Sequence, residues 1–254
     1  MSEKSIAERL RDLKIVVVVP TYNNEKTIGQ VINSILEFTA DIIVVNDGST
    51  DSTSELLKTY ANRIEIIEYA SNKGKGSALT TGFKKALSSG FHYALTIDSD
   101  GQHYAKDIVN FVTEIEQHPD SFVVGSRLLQ QANMDGGSSF ANKFSNFWYR
   151  LQTGINLPDT QSGYRLYPLE RMGNMKVWTN RYEAELEMLV FSAWRGIDMR
   201  PIKISVYYAP KDEKVSHFRP FQDFFRISLL NTVLVILAIL YGYPSMFIHK
   251  LTKK

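Results

Sequence analysis

Y-A-L-T-I-D-S-D-G-Q-H-Y, residues 93–104, decides the reading of this chain. Ala94-Leu95-Thr96-Ile97 reads as a buried strand, and it stops at two carboxylates one residue apart, Asp98 and Asp100, with Gly101 and Gln102 following. Two acids on a rigid strand end repel each other unless positive charge sits between them. Hard oxygen ligands at this spacing suit Mg²⁺ or Mn²⁺, and those ions suit phosphate oxygens. The competing reading is a solvated turn, since Asp-Ser-Asp-Gly is ordinary turn chemistry.

The chain around it decides between the two. Ile15-Val16-Val17-Val18-Val19 is a continuous apolar strand ending in Pro20-Thr21-Tyr22-Asn23-Asn24-Glu25. A helix follows to about Phe38, and Ile42-Ile43-Val44-Val45 is a second strand ending in Asn46-Asp47-Gly48-Ser49. A helix from about Asp51 to Tyr60 precedes strand Ile64–Tyr69, which ends at Asn72-Lys73-Gly74-Lys75-Gly76. The next helix leads to the strand that ends at Asp98. This alternation predicts right-handed crossovers and an α/β, mostly parallel sheet with helices on both faces. In such sheets ligands bind beyond the carboxyl ends of the strands, and here strand after strand ends there in polar or glycine-rich residues, which disfavours the plain turn.

The second half is less regular. Phe122-Val123-Val124 is a short strand ending in Gly125-Ser126-Arg127. Residues 130–139 form a polar stretch expected to be a loop over the site, and helix resumes near Phe140. Asp159-Thr160-Gln161-Ser162-Gly163-Tyr164-Arg165 reads as a loop, and Glu183, Glu185 and Glu187 open a helix to about Arg195.

Composition narrows the class. With 254 residues and 44% hydrophobic content, the chain buries a large core. The net charge of +2 is spread along the chain, which argues against a nucleic-acid partner. No cysteine is present, so disulfides, thiolate metal sites and a thiol nucleophile are excluded. The N-terminus shows no apolar signal segment, so a cytoplasmic start is expected. From Ile227 to Ile248 there is no charged side chain, with Arg226 on one side and His249, Lys250, Lys253 and Lys254 on the other. Tyr241-Gly242-Tyr243-Pro244 is expected to break the run after about fourteen apolar residues, which leaves a span, a shallow interfacial anchor and a buried core helix all open. Phe218, Phe221, Phe224 and Phe225 interleave with Arg219 and Arg226 as in a helix lying on a membrane surface. The simplest partition is a catalytic domain over residues 1–219 and a membrane-associating segment over 220–254, on the cytoplasmic face of a membrane.

On the residues alone, Asp98 and Asp100 would hold a divalent ion that bridges a diphosphate. Asp47 is placed to accept from a nucleobase or ribose, with a helix cap as the alternative. Lys73 and Lys75, flanking Gly74 and Gly76 before a helix, suit phosphate. Neither G-x-G-x-x-G after the first strand nor G-x-x-x-x-G-K-[ST] occurs, which disfavours a dinucleotide oxidoreductase and a P-loop NTPase.

The segments P-T-Y-N-N-E-K-T-I, V-N-D-G-S-T-D-S-T, N-K-G-K-G-S-A-L, D-S-D-G-Q-H, G-S-R, Q-S-G-Y-R-L-Y and R-Y-E-A-E-L-E-M-L through D-E-K-V-S-H-F-R-P resemble, in this order, family 2 glycosyltransferases. The resemblance covers about residues 13–227 and is nearest to the dolichyl- or polyprenyl-phosphate sugar synthase branch. It implies a GT-A fold, a nucleotide-diphosphate sugar donor, a divalent metal and inverting transfer to a lipid phosphate. It further implies that Pro20, Tyr22, Glu25 and Asp47 hold the nucleoside, that Lys75 lies near the donor, and that Asp98, Asp100 and Gln102 form the metal and diphosphate site. Arg127, Ser162 and Arg165 would face the sugar or an acceptor phosphate. His217 matches a position where Lys or His is found and is a candidate late metal ligand. The chain departs from many members in carrying Asn46 where they have a second Asp, and Asn24 before Glu25. If the acceptor is instead a sugar or glycolipid hydroxyl, a general base is needed, and Asp159, Glu183 and Glu185 are the candidates. A phosphate acceptor needs cations instead, which Arg127, Arg165 and Arg219 offer. A non-catalytic membrane-attached nucleotide-sugar binding module and a nucleotidyltransferase are the other classes.

Overall fold

The computed structural model describes residues 4–127, 136–207 and 220–252. Helix α1 (Ile6–Asp12) starts on a capping box, in which the Ser5 hydroxyl accepts from the Glu8 amide while the Glu8 carboxylate accepts from the Ser5 amide. The chain then alternates β1 (Ile15–Thr21), α2 (Ile28–Leu36), β2 (Ile42–Asn46), α3 (Thr53–Lys58), β3 (Glu65–Glu68), α4 (Lys75–Ser88) and β4 (Tyr93–Thr96). A 3₁₀ turn leads into α5 (Ile108–Gln117), followed by β5 (Phe122–Ser126), α6 (Gly136–Thr153), β6 (Arg165–Pro168), α7 (Leu169–Met172), α8 (Glu183–Trp194) and β7 (Met199–Lys203). The C-terminal helices are α9 (Pro220–Leu237) and α10 (Tyr243–Thr252).

The strands form one mixed sheet in the order β3-β2-β1-β4-β6-β5-β7, parallel except for β6, which runs antiparallel to both β4 and β5. The β1 and β2 strands are apolar at nearly every position because both faces of the sheet are covered. Ile15, Val17 and Val19 point into a core with α1, α2 and α5. Val16 and Val18 point into a second core with α4, α6, α8 and α9. The order of connection reverses between β1 and β4, and at that reversal a crevice opens beyond the strand ends.

Two expectations are adjusted. Helix α6 begins at Gly136 rather than near Phe140, so the polar stretch is partly helical, and its remainder, 130–135, lies outside the described residues. The break expected at Tyr241–Pro244 is taken up by a π-helical turn, Ala238–Gly242, so one continuous helical run, Phe225–Thr252, is long and apolar enough to cross a membrane. Its inner side belongs to the second core: Leu230, Leu234 and Ala238 are buried, Asn231 accepts from the Gln152 amide at 2.8 Å, and Gly242 lies against the Trp194 ring. Its outer side exposes Phe225, Leu229, Ile236, Ile239, Leu240 and Phe247.

Candidate functional site

The ends of β1, β2 and β4 are laced across the crevice. The Asn24 side-chain amide donates to the Ser99 hydroxyl at 2.8 Å and the Thr27 hydroxyl donates to the Ser99 carbonyl at 2.6 Å. The Asn23 amide donates to the Ser49 hydroxyl, the Glu25 amide to Asp51, and the Ser52 amide back to Glu25 at 2.9 Å. Pro20 is buried within β1 opposite Val45, and Tyr22 stands half-buried at its mouth. Asp47 is buried, and its two oxygens accept from the Lys73 and Gly74 amides at 2.7 and 2.8 Å. Burial pushes its carboxyl up, opposed by these two bonds. Asp47 therefore fixes the turn that begins α4. Gly74 takes φ +102° there, and a side chain on it would meet the Asn180 carbonyl.

The first residue of α4 reaches the acidic pair. The Lys75 ammonium lies 2.6 Å from Asp98 Oδ1 and 3.0 Å from Glu185 Oε2. Burial alone would discharge the ammonium, but the two carboxylates outweigh it and raise its pKa well above the ordinary lysine range. Burial likewise works to raise the Asp98 carboxyl, yet Lys75, with His103 behind it, holds the group below its usual value. Gly163 backs Asp98 so closely that a Cβ there would sit 2.3 Å from Oδ2. Asp100 is more exposed than Asp98 as a residue: one carboxylate oxygen accepts from the Gln102 amide at 2.9 Å, and desolvation of the carboxyl, followed by the Asp98 charge, pushes it up. The Gln102 carbonyl accepts from the Tyr207 amide at 2.8 Å, and His103 forms a β-bridge with Val206. His103 is buried with Nε2 4.0 Å from Asp98 Oδ2 and Nδ1 without a partner among the described residues, and burial lowers its pKa to about 4. His217 and Arg219 lie outside the described residues.

Beyond β5, Arg127 donates to Asp159 from its amide and from Nε and Nη2 at 2.8 and 3.0 Å. Asn142 and the Gln161 amide complete the shell around Asp159. Burial favours a protonated Asp159, but the Arg127 bonds outweigh it and hold the carboxyl below its usual range. Arg165 is buried in β6, and its donors go to the carbonyls of Ser162, Thr160 and Glu185 at 2.7, 2.8 and 2.9 Å. It ties the 160–165 loop to α8. Ser162 is buried and its hydroxyl accepts from the Tyr164 amide. Glu183 is buried, with Oε2 unpartnered among the described residues.

Several residues escaped sequence reasoning. Gly163, His103 and Asn142 support Asp98 and Asp159 from behind. Fully buried Glu187 accepts from the Trp178 and Thr179 amides, which sets the Asn180 carbonyl against the Ser77 amide at 3.1 Å. The available signal was the run of acids at 183, 185 and 187: buried carboxylates call for partners, which Glu185 and Glu187 find in Lys75 and in the Trp178 and Thr179 amides.

The family model described as Glycosyl transferase family 2 matches residues 16–170. A UDP-N-acetylglucosamine–dolichyl-phosphate N-acetylglucosaminyltransferase of Methanococcus voltae is 30% identical over 78% of this chain and 88% of its own. An undecaprenyl-phosphate mannosyltransferase of Micrococcus luteus is 26% identical over 61% and 66%. Among solved structures, glucosyl-3-phosphoglycerate synthase from Mycobacterium tuberculosis, in complex with Mn²⁺, UDP and phosphoglyceric acid, superposes with TM-score 0.67 at 18% identity, covering 94% of this chain and 83% of that one. This likeness shows the GT-A fold.

Proposed function

Because the chain belongs to glycosyl transferase family 2, we propose that it moves a sugar from a nucleotide-diphosphate sugar onto a membrane polyprenyl phosphate, with inversion and with Mg²⁺ or Mn²⁺ at the donor. The two named relatives differ in sugar and in polyprenol and agree on a lipid phosphate, which supports the acceptor class.

The observation that carries the reading is the state of the three carboxylates that a hydroxyl acceptor would call on. Asp159 is committed to Arg127, Glu185 to Lys75, and Glu183 is buried. A hydroxyl nucleophile must lose a proton to a positioned base, whereas a phosphate is already anionic and needs orientation and charge. A site whose carboxylates are each neutralised or covered suits the phosphate. Its oxygen attacks the anomeric carbon, the bond from that carbon to the donor diphosphate breaks, and the nucleoside diphosphate leaves. Arg127, oriented by Asp159, and Arg219 are assigned to the acceptor phosphate. Ser162 and Arg165 hold the loop behind it, and Pro20, Tyr22, Glu25 and Asp47 shape the nucleoside side.

The residues fit a divalent ion shared with the donor. Asp98 and Asp100 offer hard oxygens from one strand end, one residue apart. Among the described residues no three of His, Asp and Glu stand close enough to hold a metal by themselves. Phosphate oxygens of the donor would complete the set, with His217 as the further candidate. The bound ion supplies positive charge to the departing diphosphate. The exposed side of Phe225–Thr252 rests on the membrane that carries the acceptor.

The test is incubation of the full chain in detergent with a nucleotide-sugar panel and undecaprenyl or dolichyl phosphate. A lipid-linked monosaccharide that vanishes in EDTA and returns with Mn²⁺ is expected. Turnover indifferent to EDTA, or confined to hydroxyl acceptors, would sink the proposal.

A further inference from the structure

Asp98 already carries a cation, the Lys75 ammonium. Its Oδ1 is 2.6 Å from the Lys75 ammonium, and its Oδ2 faces the Gly163 backbone, with no room for even one methyl group between them, and the buried His103 ring. Lys75 is itself placed rigidly. It opens α4 between Gly74 and Gly76, where an added Cβ would stand 2.4 Å from the Asn180 carbonyl and 2.4 Å from the Ala184 side chain respectively, so the backbone there has no freedom to retreat. Only the ammonium can move, and Glu185, 3.0 Å away, gives it a second anchor when it does. Asp100, by contrast, is exposed and carries one amide bond on its carboxylate.

Resting on the donor reading above, we propose that Lys75 is the resident counter-cation of Asp98 and that it must be drawn off by a nucleoside diphosphate before a divalent ion can engage both aspartates. A divalent ion arriving alone meets an ammonium already seated on Asp98 and is repelled by it at close range. A diphosphate changes the balance, because its oxygens accept the ammonium while Glu185 retains it. Asp100 is then the carboxylate that receives the ion first, and Asp98 joins once vacated. Glu185, read from the sequence as a possible base, is a positioning residue that tethers Lys75. Metal and nucleotide therefore bind with positive coupling, and by linkage each tightens the other by the same factor.

Mn²⁺ binding to the full chain in detergent, read by electron paramagnetic resonance with and without UDP, tests this. Wild-type protein is expected to bind Mn²⁺ about tenfold or more tightly with UDP than alone, and UDP by an equal factor more tightly with Mn²⁺. Lys75→Met is expected to bind Mn²⁺ without UDP about tenfold more tightly than wild type does, since its Asp98 is vacant. Glu185→Gln keeps Lys75 on Asp98 and leaves binding of Mn²⁺ alone weak. Should Lys75→Met fail to fold with two uncompensated carboxylates, Lys75→Gln, which can hydrogen-bond to both, makes the same comparison. Equal Mn²⁺ affinity with and without UDP in wild type, or no gain on neutralising Lys75, would overturn this inference alone. No Mn²⁺ binding under any condition would overturn it together with the metal-dependent donor site on which it rests.

Discussion

Asp159 has no exposed surface and accepts from Arg127, Asn142 and the Gln161 amide, so its charge belongs to the fold and to the orientation of Arg127. Asp159→Asn leaves the guanidinium without its partner, and breaking a buried pair costs about 3–5 kcal/mol. A large fall in the unfolding midpoint is expected. Because the folded carboxyl titrates below its ordinary value, its contribution is full above about pH 4 and is lost as the pH falls through the folded value. Acid unfolding of wild type should therefore steepen in that window, and the Asn variant should lack the corresponding slope. Asp100 has the opposite sign. Its carboxyl is raised, so the folded state holds its proton more firmly than the unfolded chain and loses stability as the pH rises past that range. Asp100→Asn is expected to keep or raise the unfolding midpoint while turnover falls by about a hundredfold or more, as removal of a charge that serves the reaction requires. A variant that lost both together would point to a structural role.

Helix α4 organises the site because its start is where the strand ends, Lys75 and the loop before α8 meet. Gly76 has ordinary helical geometry, so Gly76→Ala would by propensity stabilise the helix by about 1 kcal/mol. The added methyl group instead meets the Ala184 side chain at 2.4 Å, an overpacking that costs about 1–3 kcal/mol. Net destabilisation and weaker nucleotide binding are expected, measured by thermal unfolding and by UDP titration. A more stable variant would mean that α4 and α8 separate easily. The run Phe225–Thr252 has two faces and needs two kinds of test. Removing it strips Leu230, Leu234 and Ala238 from the core, so truncation would not isolate membrane binding. Changing Leu229, Ile236 and Leu240 to Ser touches only side chains that are 59%, 54% and 72% exposed. The triple variant is expected to leave the membrane fraction with its unfolding midpoint unchanged. Retention on membranes would assign that face to another partner. The helix is also docked along its length, from Leu230 to the His249 ring against Gly196.

For the molecule as a whole, the first hundred residues were legible because continuous apolar runs ending at Thr21, Asn46 and Thr96 have one stable solution, a sheet covered on both sides. The crevice at the strand-order reversal followed from the same pattern. The second half was harder for physical reasons. Strand β6 is four residues long and antiparallel, and β7 mixes Arg200, Pro201 and Lys203 with its apolar positions, so neither announces itself by periodicity. Arg165 sits among Ser and Gly residues and reads as a ligand, while the three carbonyls that it satisfies are brought together only by the fold. The same holds for Lys75, whose two carboxylates are 23 and 110 residues away in the chain. The central claim is that the acceptor is anionic, since Asp159 and Glu185 are committed to cations and Glu183 is buried. The direct measurement is the linkage in the purified product, by ³¹P NMR and by lability to mild acid. The account predicts a glycosyl phosphodiester whose anomeric configuration is opposite to that of the donor. A product joined through a sugar or glycolipid hydroxyl, with its formation abolished by Glu183→Gln, would contradict it.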